Sequence, residues 1–257
     1  MRVVLVGAGN VGTRLSEALL SAGHSILAVY SRTELSARTL AENLNVPYTT
    51  LLEQLPCDAD LYIAALKDDA LVHLSKEIVK GREKSLFIHT SGTLNMDIWK
   101  STGATRFGVM YPLQTFSKDK LVDWRSVPIF IEGSLEQEKN LIENFALGLS
   151  DNVKQLDSTE RGLLHVAAVF ACNFSNHMYS ISKNILSELK IPFSVLLPLI
   201  EETAHKVTIL DPHKAQTGPA VRGDKEVLDK HMEFLSCYPE LAEIYSIISK
   251  NIQNSKK

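Results

Sequence analysis

Hydrophobic and polar positions follow two different rhythms along this chain, and the rhythm changes once. Up to about residue 155, short aliphatic and β-branched runs at 3–6, 26–30, 61–65, 86–89, 106–110, 128–131 and 153–155 are separated by amphipathic stretches at 11–22, 36–43, 70–79 and 136–147. Short apolar runs predict buried strands, and apolar residues three or four apart predict helices, so the order reads as strand–helix–strand units around a parallel sheet. Past Asp157 the strand signals stop. Helical periodicity takes over at 158–189, 192–210 and 225–251, the last interrupted near Pro239, and a polar tail, NSKK, is expected to fray. The expected fold is α/β: a mostly parallel sheet domain over residues 1–155 and an all-helical domain over residues 156–257.

Composition narrows the function classes. The 257 residues, 45% of them hydrophobic, suffice for one large core or two smaller ones. With 27 basic residues against 30 acidic ones, the net charge of -3 gives no field that would gather nucleic acid or anionic lipid, so small-molecule partners are expected. Cys57, Cys172 and Cys237 lack metal-like spacing; no metal is expected, and scattered free thiols fit a reducing compartment. A strand-like run at the start and the lack of an apolar stretch of about 18 residues predict a cytoplasmic chain without leader or membrane span.

The first run leads into VVLVGAGNVG, which sets Gly7, Gly9 and Gly12 as GxGxxG between a strand and an amphipathic helix. Gly7 permits the tight turn, Gly9 lets the backbone approach a pyrophosphate, and Gly12 lets the helix pack on the strand; the N–H groups of Asn10, Val11 and Gly12 then face the anion. This makes the sheet domain Rossmann-type and a dinucleotide its ligand. The end of the second strand selects which one. An acidic residue there would accept the ribose hydroxyls of NAD, but the chain has Ser31, Arg32 and Thr33, whose guanidinium and hydroxyls suit a 2′-phosphate. NADP is the expected cofactor; the competing reading leaves Arg32 a solvated charge.

Further strand ends should border the same ligand. Ala65 and Leu66 are placed to line the adenosine side, while Asp68 and Asp69 are read as caps of the next helix. His89 is followed by Thr90, Ser91, Gly92 and Thr93, a small hydroxyl-rich turn able to bond a nicotinamide ribose or a substrate, with a plain loop capped by Thr93 as the alternative. Tyr111 and Pro112 follow the fifth run as a pocket wall and substrate contact; Tyr111 as a general acid is the bolder option, since a phenol near pKa ~10 donates slowly unaided. In the first long helix His165, Asn173 and Asn176 lie near one face. His165 and Asn173 are the candidate catalytic pair, orienting a carbonyl or imine and supplying a proton, and Asn176 a substrate contact; a satisfied core or surface histidine is the alternative.

The ordered blocks VGAGNVG, YSR, HTSG, GVMYPLQTFS, HVAAVFACNFSNH and TGPAVRGD resemble a family of NADP oxidoreductases that join a Rossmann-like domain to a helical domain of unknown function. In build that family is similar to the 6-phosphogluconate dehydrogenase-like group, with pyrroline-5-carboxylate reductases and deazaflavin-dependent NADP oxidoreductases. The resemblance implies an N-terminal cofactor domain and a helical domain that forms a homodimer. Reaction and substrate are not settled by it, and the leading reading is a reductase that transfers hydride from NADPH to a C=O or C=N bond of a small polar metabolite. The hydroxyacid dehydrogenases of the wider group carry a lysine one turn after a glycine on the first long helix. Here Gly162 is followed by His165, so their mechanism does not transfer. The resemblance also gives the irregular segment DPHKAQTGPAVRGDK a place at the substrate end, where Arg222 would bind a carboxylate or phosphate; the alternative pairs Arg222 locally with Asp224 while Asp224 caps the next helix. A non-catalytic NADP-binding sensor or scaffold that dimerises through its helices is the second functional reading.

Overall fold

The computed structural model describes residues 1–255; Lys256 and Lys257, the end of the tail expected to fray, lie outside the described residues. Eight strands form one sheet: β1 (Arg2–Val6), β2 (Ser25–Tyr30), β3 (Tyr48–Thr49), β4 (Leu61–Ala64), β5 (Leu86–His89), β6 (Arg106–Pro112), β7 (Ile129–Gly133) and β8 (Val153–Gln155). Their order is β3-β2-β1-β4-β5-β6-β7-β8. Every pairing is parallel except β6 with β7. The sheet is thus mostly parallel, with helices α1 (Asn10–Ser21), α2 (Glu34–Leu44), α3 (Asp68–Val79) and α4 (Glu136–Leu147) as its crossovers and flanks. The two-residue β3 is an addition to the expected set, too short to leave a periodic signal.

Both faces of this sheet are covered, which is why its strands read as continuous apolar runs. Val3 and Leu5 point into one core with Leu15 and Leu19 of α1 and Ile142 and Phe145 of α4. Val4 and Val6 point into the other, with Leu71 and Ile78 of α3 and the buried Trp99. Parallel pairing sets Val6 opposite both Tyr30 and Ala64, Ala64 opposite His89, and His89 opposite Val109. The residues next along each strand therefore share one rim, spanning about 14 Å from β1 to β6 at the usual strand spacing.

The C-terminal part is helical: α5 (Ser158–Ala168), a π-helical segment at Val169–Phe174, α6 (Ser175–Glu188), α7 (Leu197–Ile209), the short α8 (Pro212–Ala215) and α9 (Pro219–Arg222), α10 (Lys225–Phe234) and α11 (Pro239–Asn254). A capping box starts α5, with Asp157 Oδ1 accepting from the N–H groups of Thr159 and Glu160 and Glu160 Oε2 accepting from Asp157 N–H. By packing the chain divides into one unit from Met1 to His177 and a second from Met178 onward, so α5 and the π segment pack as part of the sheet unit. No described helix is long and apolar enough to cross a membrane.

Candidate active site

The turn after β1 has no room for side chains. Gly7 adopts φ +124 and donates its N–H to the Tyr30 carbonyl at 2.8 Å; a Cβ there would lie 2.2 Å from the Ala65 carbonyl oxygen. A Cβ on Gly12 would lie 2.1 Å from the Gly7 carbonyl oxygen. Gly9 differs. It is the N-cap of α1, a Cβ on it would meet nothing within 4 Å, and no side chain caps the helix. Open space in front of the uncapped N–H groups of Asn10, Val11 and Gly12 is a cradle that fits a pyrophosphate. The Asn10 side chain is turned elsewhere: its amide donates to the Phe116 carbonyl at 3.0 Å, and Arg14 donates to the Lys118 carbonyl at 2.6 Å, so the loop after β6 lies against the start of α1.

Beside the cradle, a cavity of about 230 Å³ brings together Gly7, Gly9, Ser31, Arg32, Ala65 and Leu66. Tyr30, Thr33 and Lys67 line it too, and no carboxylate does. Lys67 adds a second cation to Arg32. Sequence reading left it unassigned, because a lysine at a helix start looks like any surface lysine. Asp68 and Asp69, expected to cap α3, stand instead in its first turn, where their charge suits the helix dipole; Lys67 holds the cap position.

Farther along the rim, Tyr111 on β6 meets His165 on α5, hydroxyl to Nδ1 at 2.9 Å, with the rings edge to face. Gly92 closes against both: a Cβ on it would lie 2.6 Å from His165 Nδ1 and 2.9 Å from Tyr111 Cζ. Thr90 and Ser91, just before Gly92, are buried. Ser91 Oγ accepts the N–H groups of Thr93 and Leu94, and the Thr93 hydroxyl donates to Asp68, so these hydroxyls build the turn. Burial pushes the Tyr111 phenol above its ordinary pKa, against a smaller downward pull from the Arg161 charge. His89 is buried beside Trp99; burial, assisted by Arg161, pushes its imidazole down to about 3, so the ring is neutral.

Sequence reading missed the support under this pair. Arg161, only 1% exposed, donates to Glu132 Oε2 at 2.5 Å, to Ser158 Oγ at 3.2 Å and to the Leu94 carbonyl. Glu132 of β7 also accepts from the Ser158 N–H at 3.1 Å and hydroxyl at 2.7 Å. The capping signal D-x-x-E at Asp157–Glu160 could have located the helix start, but nothing in the sequence marks Arg161 as buried.

Pro112 ends β6 and is buried. Asn173 and Asn176 are exposed, and the π segment falls between His165 and Asn176, so the 3.6-residue spacing used to align them does not hold there. Arg222 belongs to the second unit, exposed, 3.9 Å from Asp224, whose carboxylate accepts from the Val227 N–H at the start of α10.

Residues 1–113 match the family described as a Rossmann-like domain, and residues 127–252 match the domain of unknown function DUF2520. No curated protein matches the chain. Among solved structures, it is similar to a "putative NADP oxidoreductase" from Bacteroides fragilis, 44% identical over 98% of both chains with a TM-score of 0.93. Protein TM1727 from Thermotoga maritima is 23% identical over 99% of both chains, with a TM-score of 0.73. A Plasmodium falciparum pyrroline carboxylate reductase with NADP bound is 15% identical over 98% of both chains, with a TM-score of 0.59; these last two likenesses are of fold.

Proposed function

Because the chain belongs to the family that joins a Rossmann-like domain to the DUF2520 domain, we propose that it is an NADP-dependent oxidoreductase that reduces a C=O or C=N bond of a small polar metabolite. The observation that carries this reading is the 2.9 Å contact between Tyr111 and His165 on the rim that also holds the glycine cradle. Bound in the cradle, the nicotinamide cofactor supplies a hydride. Arg32 and Lys67 hold the phosphate that distinguishes NADP, and the first turn of α1 holds the pyrophosphate.

The chain's own residues then handle the proton. A phenol kept protonated by burial donates to His165 Nδ1, which leaves the ring hydrogen on Nε2. As negative charge develops on the substrate oxygen or nitrogen, Nε2 gives up its proton and Nδ1 takes the phenolic one, so the imidazole stays neutral and the charge ends on the Tyr111 oxygen. Bulk water restores that proton. Gly92 holds the two rings in register, since any side chain there would wedge them apart. Asn173 and Asn176 remain as proposed contacts for the polar ends of the substrate, and Arg222 as a proposed binder of a carboxylate or phosphate.

The helical unit is the proposed homodimer surface, because large apolar side chains such as Phe234, 76% exposed, and Ile209, 67% exposed, stay uncovered in one chain. The test is NADPH oxidation against a panel of carbonyl and imine metabolites. Tyr111→Phe and His165→Ala should each lower turnover by about 10²–10⁴-fold while NADPH affinity holds. A protein that binds NADPH but oxidises it with no panel member fits the non-catalytic sensor instead, and turnover that ignores both substitutions removes the Tyr111–His165 pair from the mechanism.

A further inference from the structure

The Tyr111–His165 contact joins a strand to a helix, and among the described residues neither side chain has another hydrogen bond that would fix it. Arg161 lies one helical turn before His165 and is the most enclosed charge among the described residues. Its guanidinium reaches three elements at once: Glu132 on β7, Ser158 at the start of α5, and the Leu94 carbonyl in the turn that presents Gly92. Ser158 Oγ in turn accepts the Met96 N–H at 3.2 Å. The strand beside β6, the start of the helix that carries His165 and the turn that carries Gly92 are thus tied to one planar cation.

We propose that Arg161 is the positioning residue of the Tyr111–His165 pair, fixing through its ion pair with Glu132 and its bond to the Leu94 carbonyl the distance at which the phenol meets the imidazole. The proposal rests on the reading of that pair as the proton-handling group. A buried ion pair contributes little net stability compared with apolar replacements, so its use here is geometric and electrostatic. The groups set against the phenol are His165, bonded to it, and the Arg161 cation, both on α5; the turn after β5 meets it with Gly92, which carries no charge. Arg161 favours the phenolate, the form that the proton relay leaves behind.

Arg161→Met alone strands the Glu132 carboxylate and can fail to fold, so the informative variant is the double substitution Arg161→Met with Glu132→Leu, which leaves no orphaned charge. Two readouts need neither cofactor nor substrate. One is the phenolate absorbance of Tyr111, taken as the difference from the same protein carrying Tyr111→Phe; the other is the NMR resonance of the His165 ring. In the double variant the Tyr111 titration should move to higher pH and the His165 resonance should lose its dependence on Tyr111. Arg161→Lys, which keeps the charge but not the fork, should leave the titration near its original place and still displace the His165 resonance. If either readout in the double variant matches the parent, Arg161 is a fold anchor and not a positioning residue. A metabolite panel without turnover would overturn the reductase reading and leave this test standing.

Discussion

The two units of this chain solve the burial problem in opposite ways. In the sheet unit, strands such as β1 and β4 are enclosed on both faces, and Trp99, Tyr62 and Phe87 are fully buried in contact with one another or with neighbouring strands. In the unit from Met178 onward, Ala220 is the single buried residue among the described ones, while Leu189, Leu199, Ile209, Phe234 and Ile247 are each at least 60% exposed. A helix gains most of its stability from packing its apolar face. The sheet and its flanking helices α1 to α4 supply their own cover, whereas Leu163 and Phe170, on α5 and the π segment of the same unit, are exposed like the helices beyond them. The helical unit has a cavity of about 270 Å³ lined by Ile181, Ile185, Ile244, Ile248 and Ile252, where a self-sufficient domain would have a filled core. The contrast teaches that the proposed chemistry lies on the well-packed half, and that the other half exposes the apolar surface on which the homodimer proposal rests.

The strongest way to break this contrast is a matched pair of charges. Ile247→Asp on α11, at a side chain 60% exposed, should cost about 3 kcal/mol or more and dissociate the proposed homodimer, in which the aspartate would be buried between copies. Val72→Asp on α3, 51% exposed, should change stability by less than about 0.5 kcal/mol. Sedimentation equilibrium and denaturant melts over a range of protein concentrations decide; equal and small effects would end the homodimer proposal.

A second experiment keeps to the sheet unit. Gly7→Ala forces a side chain into φ +124 and against the Ala65 carbonyl, at about 1–3 kcal/mol, and this loss should not depend on protein concentration. Binding of NADPH should fall with it.

The third turns on pH. His89 is held at about 3 in the fold, below the ordinary histidine value near ~6.5 of the unfolded chain, so the unfolded state binds the extra proton. Its stabilising contribution is therefore complete above about pH 6.5 and is lost as pH falls toward 3, at about 1.4 kcal/mol per unit. Between pH 7 and pH 5 His89→Gln should lose less stability than the parent by about 2 kcal/mol in urea melts. Identical pH slopes would remove the buried neutral histidine from the account.

The fourth test is on the cofactor. Arg32→Asp should weaken NADPH by about tenfold to a hundredfold and leave NADH nearly unchanged, measured by fluorescence titration. Lys67→Ala should do the same more weakly. If the contrast between units holds, both effects persist in the dissociated Ile247→Asp protein.

Most of the sheet was legible because strand burial on two faces writes itself as short continuous runs, and a glycine-rich turn in front of a helix has few other uses. Ser31, Arg32, Ala65 and Leu66 could be placed beside that turn because strand ends share a rim in any parallel sheet. The π segment at Val169–Phe174 was not legible, since one extra residue per turn leaves the apolar pattern nearly intact while rotating the helix beyond it.

By itself, then, the sequence determined the alternation of strands and helices, the change of rhythm near residue 156 and the nucleotide cradle, all of which are local patterns. Only the tertiary structure decided that Tyr111 touches His165 across 54 positions, that Gly92 is the spacer between them, and that Arg161, indistinguishable in one dimension from a solvated arginine, is enclosed with Glu132. Those are facts of packing. They depend on which surfaces meet, and no periodicity along the chain encodes a meeting between elements so far apart in it.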